Sequence, residues 1–470
     1  MRLSEANLSA LSPHVALPGY DRAAQRVGIV HFGIGAFHRA HQAAYTDDAM
    51  AAGERDWAIT GVSLRSGSIR DQMMPQDGLY TIVERSSAGS ALRLIGAVTA
   101  VLVAPETPQA VIDALGSADT HIVSFTITEK GYWRRADGGL DIAAADVAHD
   151  LSGAGAPRTI YGFLAKAFVQ RRANGLPGLT LLTCDNLAEN GEILAGLLGD
   201  FLDRADPESA SWFRMHCTCP STMVDRIVPA TTPGDRDTLT AEIGLRDEAL
   251  VLTEAFRQWV IEDKFAGPRP LWENVGAQIV ADVRPYEIAK LRMLNGAHSA
   301  IAYLGLRAGH DYVHQAVADS TIRPLIETLM RQEAAATLDP LADMDTNAYA
   351  DALFARFSNS ALPHRLIQIA MDGSQKIPQR WLQPLVINRN CGRDCSATFT
   401  ALAAWLLHIR GDARPVDDPM AGELAGLWAR HGLEGIVAAL FGTDGVFAAS
   451  WTASPQDQQA LTAHLMMLAV

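Results

Sequence analysis

The chain has 470 residues, more than a single hydrophobic core ordinarily organises, so two domains are expected. Hydrophobic residues make 48% and charged residues 20%, a globular balance that excludes a disordered chain. A formal net charge of −14 argues against a phosphate-backbone partner such as nucleic acid.

The opening stretch from Met1 to Pro13 is polar, without the apolar core of a secretory leader. No later apolar run approaches the roughly 18 residues of a membrane span. A soluble, cytoplasmic protein is the expectation. Val27 to Phe32, Ala58 to Leu64, Ile122 to Ile127 and Leu179 to Thr183 are short β-branched or leucine-rich runs that read as buried strands. Between them Gly35 to Met50, Thr107 to Leu115 and Thr159 to Arg172 carry helical spacing. Strands alternating with helices predict a parallel sheet covered on both faces, a Rossmann-type doubly wound α/β domain. From about Pro285 the pattern turns helical: Tyr286 to Leu306, Ser320 to Ala336, Asn347 to Phe357, Ala397 to Arg410 and Met420 to Arg430. A Pro/Gly-rich stretch between Lys264 and Pro285 places the boundary, giving a dinucleotide-binding domain over 1–280 and a mainly helical substrate and catalytic domain over 281–470.

Five cysteines, Cys184, Cys217, Cys219, Cys391 and Cys395, are too few for a disulfide framework. They lack zinc-knuckle spacing, and there is no HExxH, so no metal is expected. Lysine is scarce: only Lys130, Lys166, Lys264, Lys290 and Lys376 occur among 39 basic residues. Each retained lysine therefore draws attention.

The first strand runs directly into Phe32-Gly33-Ile34-Gly35-Ala36-Phe37-His38-Arg39. A glycine turn between strand and helix lets backbone approach a pyrophosphate, so this segment is the candidate dinucleotide site. His38 stands where the usual third glycine would be, and an ordinary strand–helix turn has the same look. An NAD site usually places an acid after the second strand. Here the loop reads Arg65-Ser66-Gly67-Ser68, whose hydroxyls and guanidinium suit a 2′-phosphate, so NAD and NADP both stay open.

Lys290, Asn295 and His298 fall on one broad helix face, within an arc of about 140° at helical spacing. A lysine turned into a pocket has its pKa lowered and can serve as a base, an Asn amide can steady a developing alkoxide, and a His can orient a hydroxyl. The same spacing also fits an ordinary helix with a snorkelling lysine. Cys184-Asp185-Asn186 and Thr128-Glu129-Lys130 follow strands, at the edge where α/β sheets hold ligands. Asp225-Arg226 and the pair His364-Arg365, shortly before Asp372 to Lys376, complete the polar clusters.

Taken together, these motifs resemble the polyol-specific long-chain dehydrogenase/reductase family, from about Val27 to beyond Pro378. The marks are Phe32 to Gln42, Thr126 to Glu129, Cys184-Asp185-Asn186, Met223 to Arg226 and Lys290 to His298. The resemblance implies a zinc-independent enzyme with Lys290 as general base, Asn186 and Asn295 polarising the reacting oxygen, and His298 orienting the substrate. It also implies that Asp225 and Lys376 contact substrate hydroxyls and that Glu129 lies near the proton path.

Within the family, Pro220 to Pro229, Phe256 to Asp263, Lys290 to Gly296 and His364-Arg365 with Gln368 to Lys376 are more similar to the fructuronate reductases, whereas Leu8 to Pro18 is similar to the mannitol dehydrogenases. Mannitol dehydrogenases tend to carry Arg where this chain has Gln368, while His364-Arg365 brings a cation nearby that suits a uronate carboxylate. The expectation is NAD(P)-dependent reduction of fructuronate to mannonate, with mannitol, arabinitol or sorbitol dehydrogenation as the alternative. A nucleotide-binding protein without catalysis is a third reading, disfavoured by Lys290, Asn295 and His298. A monomer or weak homo-oligomer is expected.

Overall fold

Apolar runs of the first 284 residues become strands where both faces are covered. In the computed structural model, which describes residues 1–87, 89–339 and 344–469, the strands are β1 (Val27–Phe32), β2 (Ala58–Ser63), β3 (Tyr80–Ser86), β4 (Gly89–Ile95), β5 (Val98–Val103), β6 (Ile122–Phe125), β7 (Thr180–Thr183), β8 (Thr222–Asp225), β9 (Val251–Glu254), β10 (Gln258–Glu262) and β11 (Gln278–Val280). A parallel sheet runs in the order β5-β2-β1-β6-β7. Its strand order reverses at β1, so the crevice between β1 and β6 is the ligand position of doubly wound sheets.

Side chains of β1 alternate between faces. Val30 and Phe32 enter a core shared with the helices Ile160–Ala173 and Asn190–Ala205, and Ile29 enters the opposite core with Ala43, Tyr45 and Trp259. Two small sheets, β4-β3-β9 and β11-β10-β8, were not anticipated from the sequence. The stretch 35–50, expected as one helix, is two: Ala36–Ala40 and Gln42–Ala51. They break at His41 (φ −116°, ψ −87°), whose ring stacks on Phe37 and hydrogen-bonds the Gln258 carbonyl at 2.8 Å.

The chain divides into units Met1–Arg284 and Pro285–Val470. In the second, Ser396–Ile409 is buried on nearly every side and packs against Gly296–Arg307 and Pro455–Ala469. Asn347 to Phe357 is realised as Thr346–Phe357. Met420 to Arg430 continues as Ala421–Phe441 across a break at Gly432, where φ is 59°. Tyr286 to Leu306 is interrupted. Arg284–Ala289 leads into a π turn, Lys290–Asn295, before Gly296–Arg307 resumes α geometry. Further π turns occur at Leu329–Ala334 and Pro378–Leu382. Among the described residues no helix is long and apolar enough to cross a membrane.

Candidate active site

Two clusters of polar groups occupy the chain, one in each unit. In the first, Gly33 closes β1 with φ 91°, its N–H donating to the Val62 carbonyl at 2.9 Å. A Cβ here would stand 2.0 Å from the Thr126 carbonyl oxygen, so the turn requires glycine. Gly35 is exposed, and a Cβ on it would meet only the Gly33 carbonyl at 3.9 Å. The missing side chain therefore leaves bare backbone at the sheet edge, a surface that a pyrophosphate can approach.

Beneath this turn lies a sealed polar layer. The His31 ring hydrogen-bonds Ser124 Oγ at 2.7 Å and Thr126 Oγ1 at 2.9 Å, and Thr126 Oγ1 donates to the Gly33 carbonyl. His38 stacks on His31 with ring centroids 3.4 Å apart. Burial pushes His31 down to about 3 and His38 well below the usual histidine range, so both are neutral. Phe32, Ile34 and Arg39 also turn into the protein, and the Arg39 guanidinium binds the Ala249 and Gly35 carbonyls. Of the residues singled out along this turn, Gly35 and the half-buried Gly33 and Phe37 remain open, while Phe32, Ile34, His38 and Arg39 brace it from behind.

Arg65 and Ser66 are exposed in the loop after β2. Arg70 is committed to Glu106 and Asp71, leaving Arg65 as the cation of this loop without a carboxylate partner among the described residues. A cleft of about 470 Å³ opens beside it, bounded by Leu64, Ala104, Trp133, His149 and Arg158. Its walls come from segments that follow β2, β5 and β6, so it lies along the carboxyl edge of the sheet.

Asp185, after β7, accepts from the backbone N–H groups of Ile127 (3.0 Å) and Thr128 (2.9 Å) and from the Tyr132 hydroxyl (2.8 Å). It thereby fixes the loop carrying Glu129, where Thr128 adopts φ 64°. Asn186 and Glu129 are both exposed at this edge. Asp225 is buried at the end of β8, opposite Gln258. Arg226 is a buried brace, reaching the carbonyls of Ala40 and Glu254 and the Glu84 carboxylate. Asn190 was not anticipated. Its amide spans the Asp185 and Thr222 carbonyls at 3.0 and 2.9 Å and so locks the ends of β7 and β8 together.

In the second unit Lys290 and Asn295 begin and end the π turn, and both are half-buried. The arc of about 140° expected for a regular helix is replaced by a narrower one. Bonding from i to i+5 places one extra residue in the turn, which brings position 295 back toward the azimuth of 290. His298 follows one turn later, its ring 4.7 Å from Phe357 and 5.5 Å from His364. Burial, then the neighbouring His364, Arg356 and Arg380, hold His298 well below its ordinary pKa. Lys376 Nζ donates to the Met371 carbonyl at 2.6 Å, and burial followed by Arg380 lowers its pKa. Arg365 is exposed and pairs through its backbone with Tyr312.

Arg380 joins this cluster without having been singled out in the sequence. Its Nη1 donates to the Asn295 carbonyl at 3.3 Å and to Ser299 Oγ at 2.7 Å. The i, i+4 spacing from Lys376 was the available signal. Among the described residues no three or more His, Cys, Asp or Glu side chains are arranged to hold a metal ion.

The mannitol dehydrogenase Rossmann domain matches residues 27–274, and the mannitol dehydrogenase C-terminal domain matches residues 282–466. D-Mannonate oxidoreductase of Escherichia coli strain K12 is 40% identical over 445 residues, spanning 92% of this chain and 91% of that protein. Mannitol 2-dehydrogenase of Phaeosphaeria nodorum is 39% identical over 436 residues, spanning 90% of this chain and 77% of that protein. The solved ternary complex of Pseudomonas fluorescens mannitol 2-dehydrogenase with NAD and D-mannitol is 37% identical, with a TM-score of 0.81 over 100% of this chain and 97% of that one. With an open glycine turn at the sheet edge and a lysine–asparagine–histidine cluster on one helix, the chain belongs to the mannitol dehydrogenase family and is an oxidoreductase acting on CH–OH groups.

Proposed function

We propose that the protein interconverts fructuronate and mannonate, with NAD(H) or NADP(H) as the redox partner. The observation that carries this reading is the π turn that begins with Lys290, ends with Asn295 and is followed by His298. The nicotinamide supplies or accepts the hydride. In the reducing direction a ketone takes a hydride and a proton to become a secondary alcohol.

Lys290 holds that proton at Nζ, giving it to the oxygen in reduction and taking it back in oxidation. The Asn295 and Asn186 amides donate to the same oxygen and lower the cost of its developing charge. Neutral His298 orients the substrate, Asp225 and Lys376 engage its hydroxyls, and His364 with Arg365 contributes further substrate contacts. Glu129 serves the proton path to solvent. In the first unit Gly33 and Gly35 supply the bare backbone for the pyrophosphate, with Ile34 and Phe37 on the turn and Phe32, His38 and Arg39 supporting it. Arg65 and Ser66 lie where a ribose 2′-substituent would be read, and the open guanidinium favours a 2′-phosphate.

The similarity to mannitol 2-dehydrogenases at nearly the same identity favours a second reading, oxidation of mannitol or a related polyol on the same residues. Initial rates at neutral pH with fructuronate and fructose, each with NADH and NADPH, separate the two. Fast fructuronate reduction with negligible fructose reduction is expected; the reverse establishes the polyol reading.

A further inference from the structure

We propose that Arg380 is the seat of the substrate carboxylate, an inference that rests on the sugar-acid reading above. The π turn Pro378–Leu382 packs against the π turn Lys290–Asn295. Two successive side chains tie them: Arg380 to the Asn295 carbonyl and Ser299 Oγ, and Trp381 Nε1 to the Gly296 carbonyl at 3.0 Å. Both bonds of Arg380 use Nη1. Its Nε and Nη2 make no hydrogen bond, and no carboxylate pairs with it among the described residues.

This is an unusual way to leave an enclosed cation. Arg226, more deeply buried, reaches Glu84. Arg171, which has no carboxylate, spends Nε and Nη1 on three backbone carbonyls. A half-buried guanidinium with an open edge and no counter-ion is electrostatically suited to a ligand that supplies the charge. Burial pulls the Arg380 guanidinium down to about 10, so it remains charged at neutral pH.

Other charged and titratable groups surround it, and its own free edge is not spent on them. Lys376 adds a second cation, and His298 and His364 are held neutral. Tyr303 stays protonated, its pKa raised by burial. Of the two acids, Asp418 is occupied by the Ser374 N–H and hydroxyl and by the Met420 N–H, while Asp372 lies 3.8 Å from Lys376. The Nε–Nη2 edge is a planar pair of donors matched to the two oxygens of a carboxylate, and a neutral polyol offers it no charge. Arg365 places its charge at the exposed surface instead, so Arg380 is the better enclosed of the two cations.

The test is the ratio of kcat/KM for fructuronate to kcat/KM for fructose in the full-length enzyme. Arg380→Gln keeps a donor for Asn295 and Ser299 and removes the fork. The ratio should fall about 100-fold, carried by KM for fructuronate. Arg380→Lys keeps the charge and should lose about tenfold, which decides the matter if the Gln variant does not fold. A change below threefold in these variants overturns the proposal, as does a larger loss from Arg365→Ala. Wild-type enzyme that reduces fructose but not fructuronate instead overturns the sugar-acid reading, and this assignment with it.

Discussion

In the first unit the surface proposed for the pyrophosphate is main chain. The turn at Gly33 is held by bonds from Val62 and Thr126, and buried groups such as His31, Arg226 and Asn190 hold the loops from behind. In the second unit the proposed chemistry sits on side chains whose directions follow from local helix winding, Lys290 and Asn295 on a π turn and Lys376 and Arg380 at its neighbour. A main-chain surface tolerates a change of side-chain identity, as His38 in place of the customary glycine demonstrates, provided the backbone path survives. A side-chain cluster tolerates almost none, because each group contributes a particular proton or charge.

That contrast can be broken by experiment. The largest effect is expected from Lys290→Ala, which removes the base: turnover should fall about 1,000-fold or more while cofactor affinity, measured by nicotinamide fluorescence, stays within about twofold. Near-normal turnover would reject Lys290 as the base. Gly33→Ala should act the opposite way, losing about 2–4 kcal/mol of stability in denaturant melts together with cofactor binding, because the methyl group meets the Thr126 carbonyl at a left-handed φ.

The smallest effect concerns acid. Folded His31 titrates near 3, whereas the unfolded chain binds the proton near 6.5. Its contribution is fully present above pH 6.5 and is lost as the pH falls toward 3, at about 1.4 kcal/mol per pH unit. His31→Asn, which keeps a donor and an acceptor for Ser124 and Thr126, should flatten that slope in pH-dependent melts. An unchanged slope would place the acid sensitivity elsewhere.

The strands β1, β2, β6 and β7 were legible in the sequence to within a few residues because strands covered on both faces are written as uninterrupted apolar runs. The three-stranded sheets were not. β3 ends in Glu84-Arg85-Ser86, and the three residues of β11 are all half-buried, so neither carries a clear hydrophobic period. The positions Lys290, Asn295 and His298 were visible as a cluster, but the π winding was not, since a period of 3.6 was assumed through a run whose residues all suit an α-helix. Arg380 escaped notice because Ile377-Pro378-Gln379 before it resembles an exposed turn. Its enclosure follows from packing with residues some 80 positions away, which no local pattern records.

The π turn at Lys290–Asn295 also says how this helix can be edited. A π turn is an α-helix carrying one additional residue. Removing one residue between Leu291 and Leu294 would let the helix close into regular winding at little cost to its own hydrogen bonds. Lys290 and the asparagine would then be four regular helical steps apart, about 40° in azimuth at about 100° per residue, so their alignment would survive. The fold would gain a more regular helix and keep its proposed base on the same face as its proposed oxygen-binding amide. The undeleted run wound as a regular α-helix would instead set the two groups about 140° apart, so the π turn is what holds base and amide together across a five-residue spacing.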